Sequence, residues 1–154
     1  MIRKFKRSDL GRILEIEEKA FPKAPYNRVT FLYYASTCPS TFLVYEDEGR
    51  NAHEIVGYVI FYPGGHIVSI AVHPAYRRRG LGTRLVEEVL KRTKGRAIVE
   101  VRESNEVAIR FYKRLGFELR TIIPKYYGDE DALVMVRRGM DTGRKWKLIE
   151  KLKR

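Results

Sequence analysis

Three β-rich segments follow one another between residues 41 and 74, and an amphipathic helical pattern comes directly after them. TFLVYED, IVGYVIFYP and HIVSIAVHP are rich in β-branched and aromatic residues, and DEGRNAHE and PGG supply turn residues between them. We call these three segments the meander. Three consecutive strands that lead into a helix argue for a mixed α/β sheet rather than for a helical bundle or a β-sandwich.

The segments before the meander predict one strand and two helices. Alternation in MIRKFK favours a short first strand. Asp9 is expected to cap a helix that Pro22 ends, and Phe31 and Leu32 indicate a second, short helix. The apolar positions of the first helix follow helical spacing, at Leu10, Ile13, Leu14 and Phe21.

The segments after the meander alternate between helix and strand. A helix is predicted to begin near Gly80, and a second one, capped by Ser104 or Asn105, is predicted to close at Gly116. The predicted strands are AIVEVR, LRTIIP and DALVMVR. A chain of 154 residues suits one domain. We therefore predict a single α/β domain over residues 1–140, with a mixed, mostly antiparallel central sheet flanked by helices, and a basic, helical extension over residues 141–154.

The chain is strongly basic, with a formal net charge of +12, which favours partners that are anions. Half of this excess lies between Arg137 and Arg154, where eight Lys and Arg stand against two acidic residues. The tail GRKWKLIEKLKR spaces Trp146, Ile149 and Leu152 three residues apart, as on a short amphipathic helix. This tail is either a solvated or self-packed terminus, or an arm that docks on ribosomal RNA or another anionic surface with salt-sensitive affinity.

Composition also argues against several classes of protein. No apolar run approaches the roughly 18 residues of a membrane span, and MIRKFKRSDL lacks the apolar core of a secretory signal, so a cytoplasmic protein without a membrane partner is expected. Cys38 is the single cysteine, and no His/Cys spacing resembles a zinc site, so no metal is expected. His73 is expected to be a turn residue, and His53 and His66 flank turns, so a site role is expected for none of the three.

The stretch YRRRGLGTRLV joins the end of the meander to the next helix. A strand that ends near Val72, a turn through Pro74 and a helix that begins near Gly80 present main-chain N–H groups at a helix N-terminus, where anions bind. The spacing matches neither of the two familiar phosphate-binding loops, GxGxxG and GK[ST]. On these residues alone, an anion-binding turn and a glycine-softened turn with surface arginines stay equally open.

The wider stretch IAVHPAYRRRGLGTRLVEEVL resembles the acetyl-CoA signature of the GNAT superfamily of N-acetyltransferases. Arg77, Gly80 and Gly82 occupy the positions of its R/Q-x-x-G-x-G/A motif. The likeness continues through VEVRESNEVAIRFYKRLGFE and predicts the GNAT fold for most of residues 1–140. Within the superfamily, EEKAFP, VEVRESN and PKYYGDEDALVM are most similar to RimI-like and other protein N-terminal acetyltransferases.

The resemblance implies that acetyl-CoA is the acetyl donor. It implies that the turn from Arg78 to Thr83 binds the coenzyme pyrophosphate, and that the preceding strand lines the thioester arm. Asn105 matches an asparagine that contacts the coenzyme, although it could also serve only as a helix cap. The predicted coenzyme-binding residues are Ile70, Ala71, Val72, Arg77, Arg78, Arg79, Gly80, Leu81, Gly82, Thr83, Asn105 and Tyr112.

The resemblance also implies two catalytic residues. Glu100 matches the general base, acting directly or through water, and Tyr112 matches the general acid for the coenzyme sulfur. Each has an ordinary alternative, since Glu100 could be a solvent-facing strand residue and Tyr112 a core residue with a tethered hydroxyl. The predicted peptide-binding residues are Phe21, Pro22, Tyr26, Tyr126 and Tyr127, and the alternative for the tyrosine pair is packing over a sheet edge.

These inferences together predict an acetyl-CoA-dependent N-acetyltransferase. The expected acceptor is the α-amino group of a protein N-terminus, with ribosomal proteins as one candidate class, and the acetyl group is expected to move directly to it. The alternative acceptors are lysine side chains and small amines. A third possibility is a non-catalytic, basic module that binds the ribosome or RNA, which the charged tail favours.

Overall fold

The computed structural model describes residues 1–50 and 52–139. The extension predicted over residues 141–154 lies outside the described residues. Two short 3₁₀ turns, at Arg7–Asp9 and Pro74–Tyr76, accompany the helices and strands. In chain order these are β1 Ile2–Lys4, α1 Leu10–Ala20, α2 Arg28–Thr37, β2 Phe42–Glu46, β3 Ile55–Phe61, β4 His66–Val72, α3 Leu81–Arg92, β5 Ala97–Arg102, α4 Glu106–Arg114, β6 Glu118–Ile123 and β7 Ala132–Arg137.

The seven strands form one sheet in the order β1-β2-β3-β4-β5-β7-β6. The pairs β1–β2, β2–β3, β5–β7 and β6–β7 are antiparallel, whereas β4 and β5 are parallel. His66 pairs with Ile98 and Ile67 pairs with Val99 in this parallel ladder. The predicted mixed, mostly antiparallel sheet is therefore confirmed, and the β4–β5 register brings the start of the third meander strand beside β5.

The described chain forms two compact units, Met1–Tyr62 with Val68–Glu88, and Pro63–Ile67 with residues 89–139. In the first unit, α1 packs on the meander strands because its apolar positions recur at helical spacing, and α2 packs there through Phe31, its one buried residue. Buried aromatic rings of both α2 and the sheet meet there, with Phe31 and Tyr58 edge to face at 5.5 Å between centroids. The core of this unit consists of Leu10, Ile13, Ile16, Phe31, Cys38, Phe42, Val44, Ile55, Tyr58, Ile60 and Ala71.

The prediction that Asp9 caps α1 is wrong. Its carboxylate accepts two hydrogen bonds of 2.9 Å from the Arg3 guanidinium and one of 2.7 Å from the Lys6 N–H, and it makes no capping bond to α1. Burial opposes ionisation, but these hydrogen bonds outweigh it and lower the pKa of Asp9. A two-pronged guanidinium is a stronger partner than a helix N–H, so the carboxylate ties β1 to the start of α1 instead.

In the second unit, burial alternates along β5. Ala97, Val99 and Val101 are buried, while the intervening residues lie on the other face of the strand. Gly116, at φ +89°, reverses the chain after α4, and the Arg137 guanidinium donates a 3.0 Å bond to the Leu115 carbonyl at the same helix end. The strand thus presents Glu100 and Arg102, together with Ile98, on its half-buried face. Across the described part of the chain, no helix is both long and apolar enough to cross a membrane.

Candidate active site

The turn after β4 has the geometry of an anion-binding helix start. His73 Nδ1 accepts the Ala75 N–H at 3.1 Å and holds the 3₁₀ turn that follows the strand. The first hydrogen bond of α3 runs from the Arg84 N–H to the Gly80 carbonyl at 3.1 Å. The N–H groups of the three residues between them therefore precede the helical ladder and lie at the positive end of the helix dipole.

Gly80 is required at this turn by its backbone conformation. Its φ is +75°, in the left-handed region that side chains disfavour, and apart from Gly80 and its two chain neighbours no described atom lies within 4 Å of where a Cβ would stand. The space above the glycine is thus open for a ligand to approach the main chain. Arg77, Arg78 and Arg79 are exposed beside it, and the Arg79 guanidinium lies 5.2 Å from the centre of the Tyr76 ring. The N–H groups at the helix start, the open approach to Gly80 and the three exposed arginines together suit the binding of a diphosphate group.

The other predicted coenzyme residues divide by burial. Leu81 is buried, so its main-chain N–H rather than its side chain is suited to a ligand. Ala71 is buried in the core of the first unit, whereas Ile70 and Val72 are half-buried on β4. Gly82 and Thr83 are half-buried in the first turn of α3. Coenzyme contacts of these residues remain predictions.

Glu100 is hydrogen-bonded to His66, a histidine for which the sequence predicted no role in a site. His66 Nε2 lies 2.7 Å from Glu100 Oε2, and because a carboxylate only accepts hydrogen bonds, Nε2 is the donor. The Glu100 side chain is 18% exposed and that of His66 is 40% exposed. Glu100 is therefore neither a freely solvated strand residue nor buried, but an oriented carboxylate that water can reach. His66 is the first residue of β4, in the segment HIVSIAVHP that was predicted to be a strand.

The parallel register explains this contact. His66 pairs with Ile98, and Glu100 stands two residues further along β5 on the same face of the strand. A sequence cannot easily reveal this contact, because it depends on which strand lies beside β4 and in which register. The nearest signal in the sequence is that His66 opens a strand whose other residues are apolar or small.

The tyrosine pair lies in the loop between β6 and β7, near the same carboxylate. Tyr126 and Tyr127 meet edge to face with 4.9 Å between their ring centres, and Tyr126 is 51% exposed. Burial, with smaller contributions from Tyr126 and the Glu100 charge, raises the pKa of Tyr127 to about 12. Burial and the Glu100 charge also raise the pKa of Tyr126. Both phenols therefore stay neutral at ordinary pH and can bind a ligand as hydrogen-bond donors.

Tyr112 is buried on α4, where its ring packs against Phe111 and Phe117 at 5.1 Å each. Burial, with a smaller contribution from Tyr127, raises the pKa of Tyr112 well above its usual value, so the hydroxyl keeps its proton. The Tyr112 ring is therefore packed in the core, and its hydroxyl keeps the proton that a general acid needs. Its role as the general acid stays a prediction.

Asn105 caps α4, which confirms the first of its two predicted roles, since its Oδ1 accepts the Ala108 N–H at 3.1 Å. The predicted contact with the coenzyme stays a prediction. Ser104, the other candidate cap, instead donates its hydroxyl to Glu130 Oε1 at 3.0 Å.

The front loop between α1 and α2 carries the remaining predicted peptide-binding residues. Phe21 follows α1 and is partly exposed, and Pro22 begins the turn. Tyr26 is half-buried and packs against the rings of Phe31 and Tyr34, at 5.8 and 6.0 Å. The loop therefore offers Phe21 and Pro22 to solvent, while Tyr26 anchors it to the core of the first unit.

A buried carboxylate that the sequence analysis did not single out lies beneath this loop. Glu17 accepts the Tyr26 N–H at 3.3 Å and the Tyr58 hydroxyl, and the Tyr58 oxygen lies 2.8 Å from Ser69 Oγ. Burial raises the pKa of Glu17 although both hydrogen bonds oppose that shift. Glu17 stands seven residues after Leu10, so its position on the buried helical face could have been noticed from the sequence.

Comparison with known families identifies the fold. The model of the family described as "Acetyltransferase (GNAT) family" matches residues 10–117. The chain belongs to the GNAT acetyltransferase family. This confirms the predicted fold and enzyme class, and it assigns acetyl-CoA as the acetyl donor, because GNAT acetyltransferases use that coenzyme.

Individual GNAT relatives resemble the chain over most of its length. An N-alpha-acetyltransferase of Sulfurisphaera tokodaii is 34% identical over 155 residues, covering 87% of this chain and 90% of that protein. Ard1 from Thermoplasma volcanium has a TM-score of 0.80 at 28% identity, covering 91% of this chain and 97% of that one. The ribosomal-protein-S18-alanine N-acetyltransferase from Escherichia coli has a TM-score of 0.74 at 29% identity, covering 91% and 94%. These likenesses confirm the narrower resemblance that the motifs indicated.

The residues of this GNAT chain fit acetyl-CoA at the turn after β4. The open approach to Gly80, the helix N-terminus and three exposed arginines together match a diphosphate. Across the described residues, no group of three or more His, Cys, Asp or Glu side chains could hold a metal ion. The only cysteine of the chain, Cys38, is buried in the core of the first unit.

Proposed function

We propose that this GNAT acetyltransferase acetylates the α-amino group of protein N-termini. The observation that carries the proposal is the Glu100 carboxylate, oriented by His66 in the same unit as two neutral tyrosines. Two of its relatives support the same acceptor, since one is named an N-alpha-acetyltransferase and another acts on an alanine of ribosomal protein S18.

The acceptor chemistry favours a weak base such as Glu100. An amine attacks only in its neutral form, and at pH 7 deprotonation costs about 1.4 kcal/mol for an α-amino group but about 4.6 kcal/mol for a lysine. A partly buried carboxylate that water can still reach, 18% exposed, is sufficient for the smaller cost and poorly matched to the larger one. The acceptor is therefore an N-terminus rather than a lysine side chain.

Bound acetyl-CoA supplies a thioester acyl group that an amine can attack. Glu100 removes the amine proton, directly or through a water, while the His66 N–H keeps the carboxylate oriented. Tyr112 provides the proton that the departing sulfur takes up. The main-chain N–H near Val72 donates a hydrogen bond to the carbonyl oxygen as negative charge develops there.

We propose direct transfer to the acceptor, without an acyl-enzyme. A covalent route needs an activated nucleophile, and a buried thiol such as Cys38 is inert unless a base activates it. In this proposal Tyr126 and Tyr127 bind the first residues of the peptide, and Phe21, Pro22 and Tyr26 of the front loop stay predicted peptide-binding residues. Ribosomal proteins are the first candidate class of acceptor, since one structural relative acts on ribosomal protein S18.

A peptide panel tests the proposal. Purified protein is incubated with acetyl-CoA and either free N-terminal peptides that lack lysine or N-terminally blocked peptides that contain one lysine, and intact masses are recorded. We expect a 42 Da gain on the free N-terminal peptides. Faster acetylation of the blocked lysine peptides, or of polyamines, would overturn the acceptor assignment while leaving the enzyme class intact.

A further inference from the structure

Arg102 connects β5, the strand that carries Glu100, to the loop that carries Tyr126 and Tyr127. It is the last residue of β5 and lies two residues after Glu100, on the same face of the strand. Its Nη1 donates to Asp129 Oδ1 at 2.9 Å and to Glu130 Oε1 at 3.3 Å. Its guanidinium carbon lies 4.3 Å from the centre of the Tyr127 ring. One side chain thus contacts three residues of the same loop.

The loop, residues 124–131, is organised around these contacts. The Lys125 N–H donates to Asp131 Oδ1 at 2.8 Å, and the Tyr127 N–H donates to the Glu130 carbonyl at 3.2 Å. The Glu103 N–H, next to Arg102, donates to the Asp131 carbonyl at 3.1 Å. The base of the loop is therefore joined to the end of β5 by the main chain, and its tip is joined there by the Arg102 guanidinium.

We propose that Arg102 is a positioning residue that holds Tyr127, and through it Tyr126, in the arrangement that binds the peptide. The proposal rests on the proposed function, because it assigns the tyrosine pair to the acceptor. Arg102 needs no contact with the acceptor or with the coenzyme in this role.

Charge and shape both suit an arginine to this task. A cation near the site would repel an ammonium group, but Asp129 and Glu130 neutralise this guanidinium. A guanidinium is planar, so it can stack on the Tyr127 ring while its edge donates to carboxylates, whereas a lysine ammonium offers no plane to stack. The role therefore requires the guanidinium and not merely the positive charge.

Steady-state kinetics of Arg102→Gln and Arg102→Lys test the proposal. Arg120→Gln is the matched control, because Arg120 is an exposed residue of β6 in the same unit. We expect Arg102→Gln to raise the peptide KM about tenfold, with kcat changed less than threefold and the acetyl-CoA KM unchanged. Arg102→Lys should recover little of this loss, and Arg120→Gln should match the wild type.

A second measurement does not depend on activity. Amide hydrogen exchange of a fragment that covers residues 124–131 should become faster in Arg102→Gln, while a fragment that covers β3 should be unchanged. Should Arg102→Gln fold poorly, the double variant Asp129→Asn/Glu130→Gln weakens the same contacts from the loop side. It should raise the peptide KM in the same direction.

Each outcome separates the positioning role from the proposed function. A peptide KM within twofold of the wild-type value overturns the positioning role, whether or not exchange in the loop accelerates. Full recovery by Arg102→Lys also overturns it, since charge alone would then suffice. If the wild type acetylates no free N-terminal peptide, the proposed function is wrong. If hydrogen exchange of residues 124–131 is unchanged in Arg102→Gln, Arg102 does not hold the loop, whatever the enzyme acetylates.

Discussion

Replacing Glu100 by Gln should expose how the acceptor amine loses its proton. The substitution keeps the size of the side chain and its ability to accept a bond from His66 Nε2, but it removes the base. The wild type can deprotonate a bound ammonium group, whereas the variant depends on acceptor that arrives already neutral. The deficit of the variant should therefore depend on pH.

The magnitude follows from general base catalysis and from the acceptor pKa. A positioned base contributes about 10²-fold to 10⁴-fold, so we expect kcat/KM at pH 7 to fall about 100-fold for a free N-terminal peptide. An α-amino group is about one-tenth neutral at pH 7 and about nine-tenths neutral at pH 9. The ratio of wild-type to variant rates should therefore shrink by up to about tenfold between these values.

His66→Gln provides the companion measurement. It removes one hydrogen bond of 2.7 Å to Glu100, and because the His66 side chain is 40% exposed, that bond is discounted to about 1 kcal/mol. We expect a loss of about fivefold in kcat/KM, smaller than that of Glu100→Gln. Glu118→Gln, on the exposed strand β6, is the control and should behave as the wild type.

The assay is continuous detection of released coenzyme thiol from pH 6.5 to 9, with one peptide acceptor and saturating acetyl-CoA. Wild-type rates for Glu100→Gln at every pH would refute the assignment of Glu100 as the base. A deficit that stays constant across this range would instead assign Glu100 a purely structural or binding role.

Three further predictions concern single residues. Tyr112→Phe should lower kcat about 100-fold while the acetyl-CoA KM stays unchanged, and an unaltered kcat by stopped assay would remove the general-acid assignment. Gly80→Ala should raise the acetyl-CoA Kd about tenfold, because a Cβ at φ +75° costs about 1–2 kcal/mol in the conformation that binds the coenzyme, and isothermal titration with coenzyme measures this Kd. Burial raises the pKa of Glu17 above the unfolded value of about 4.3, so the folded state binds the proton more tightly. The free energy of unfolding of the wild type, relative to that of Glu17→Gln, should therefore fall as pH rises from about 4.3 through the folded pKa. Urea unfolding that shows a constant difference between the two proteins from pH 4 to 8 would contradict this.

The order of helices and strands could be predicted because its signals are local. The meander strands carry β-branched and aromatic runs, and α3 places its buried residues Leu85, Val86 and Val89 at helical spacing. The cap at Asp9 was mispredicted because a cap is judged from the helix that follows it, whereas Arg3 reaches that carboxylate from β1. Local sequence preferences do not reveal a hydrogen-bond partner that approaches only in the folded chain.

The candidate site divides in the same way. The glycine turn at Gly80 was predictable, since its glycines, arginines and helix start are contiguous in sequence. The contact between His66 and Glu100 depends on the parallel register of two strands, and the contact of Arg102 with Tyr127 depends on how the β6–β7 loop returns to β5. Long-range pairings of this kind are absent from periodicity and propensity, so sequence alone predicted Glu100 but neither of the residues that organise its surroundings.

The most direct test of the account uses one peptide that offers both kinds of amine. The peptide carries a free N-terminus and one internal lysine, and it is incubated with the protein and acetyl-CoA before fragmentation by tandem mass spectrometry locates the acetyl group. The account predicts that the acetyl group appears on the α-amino group, with the lysine left unmodified at early times. Acetyl found first on the lysine, or no acetyl on either amine, would contradict it.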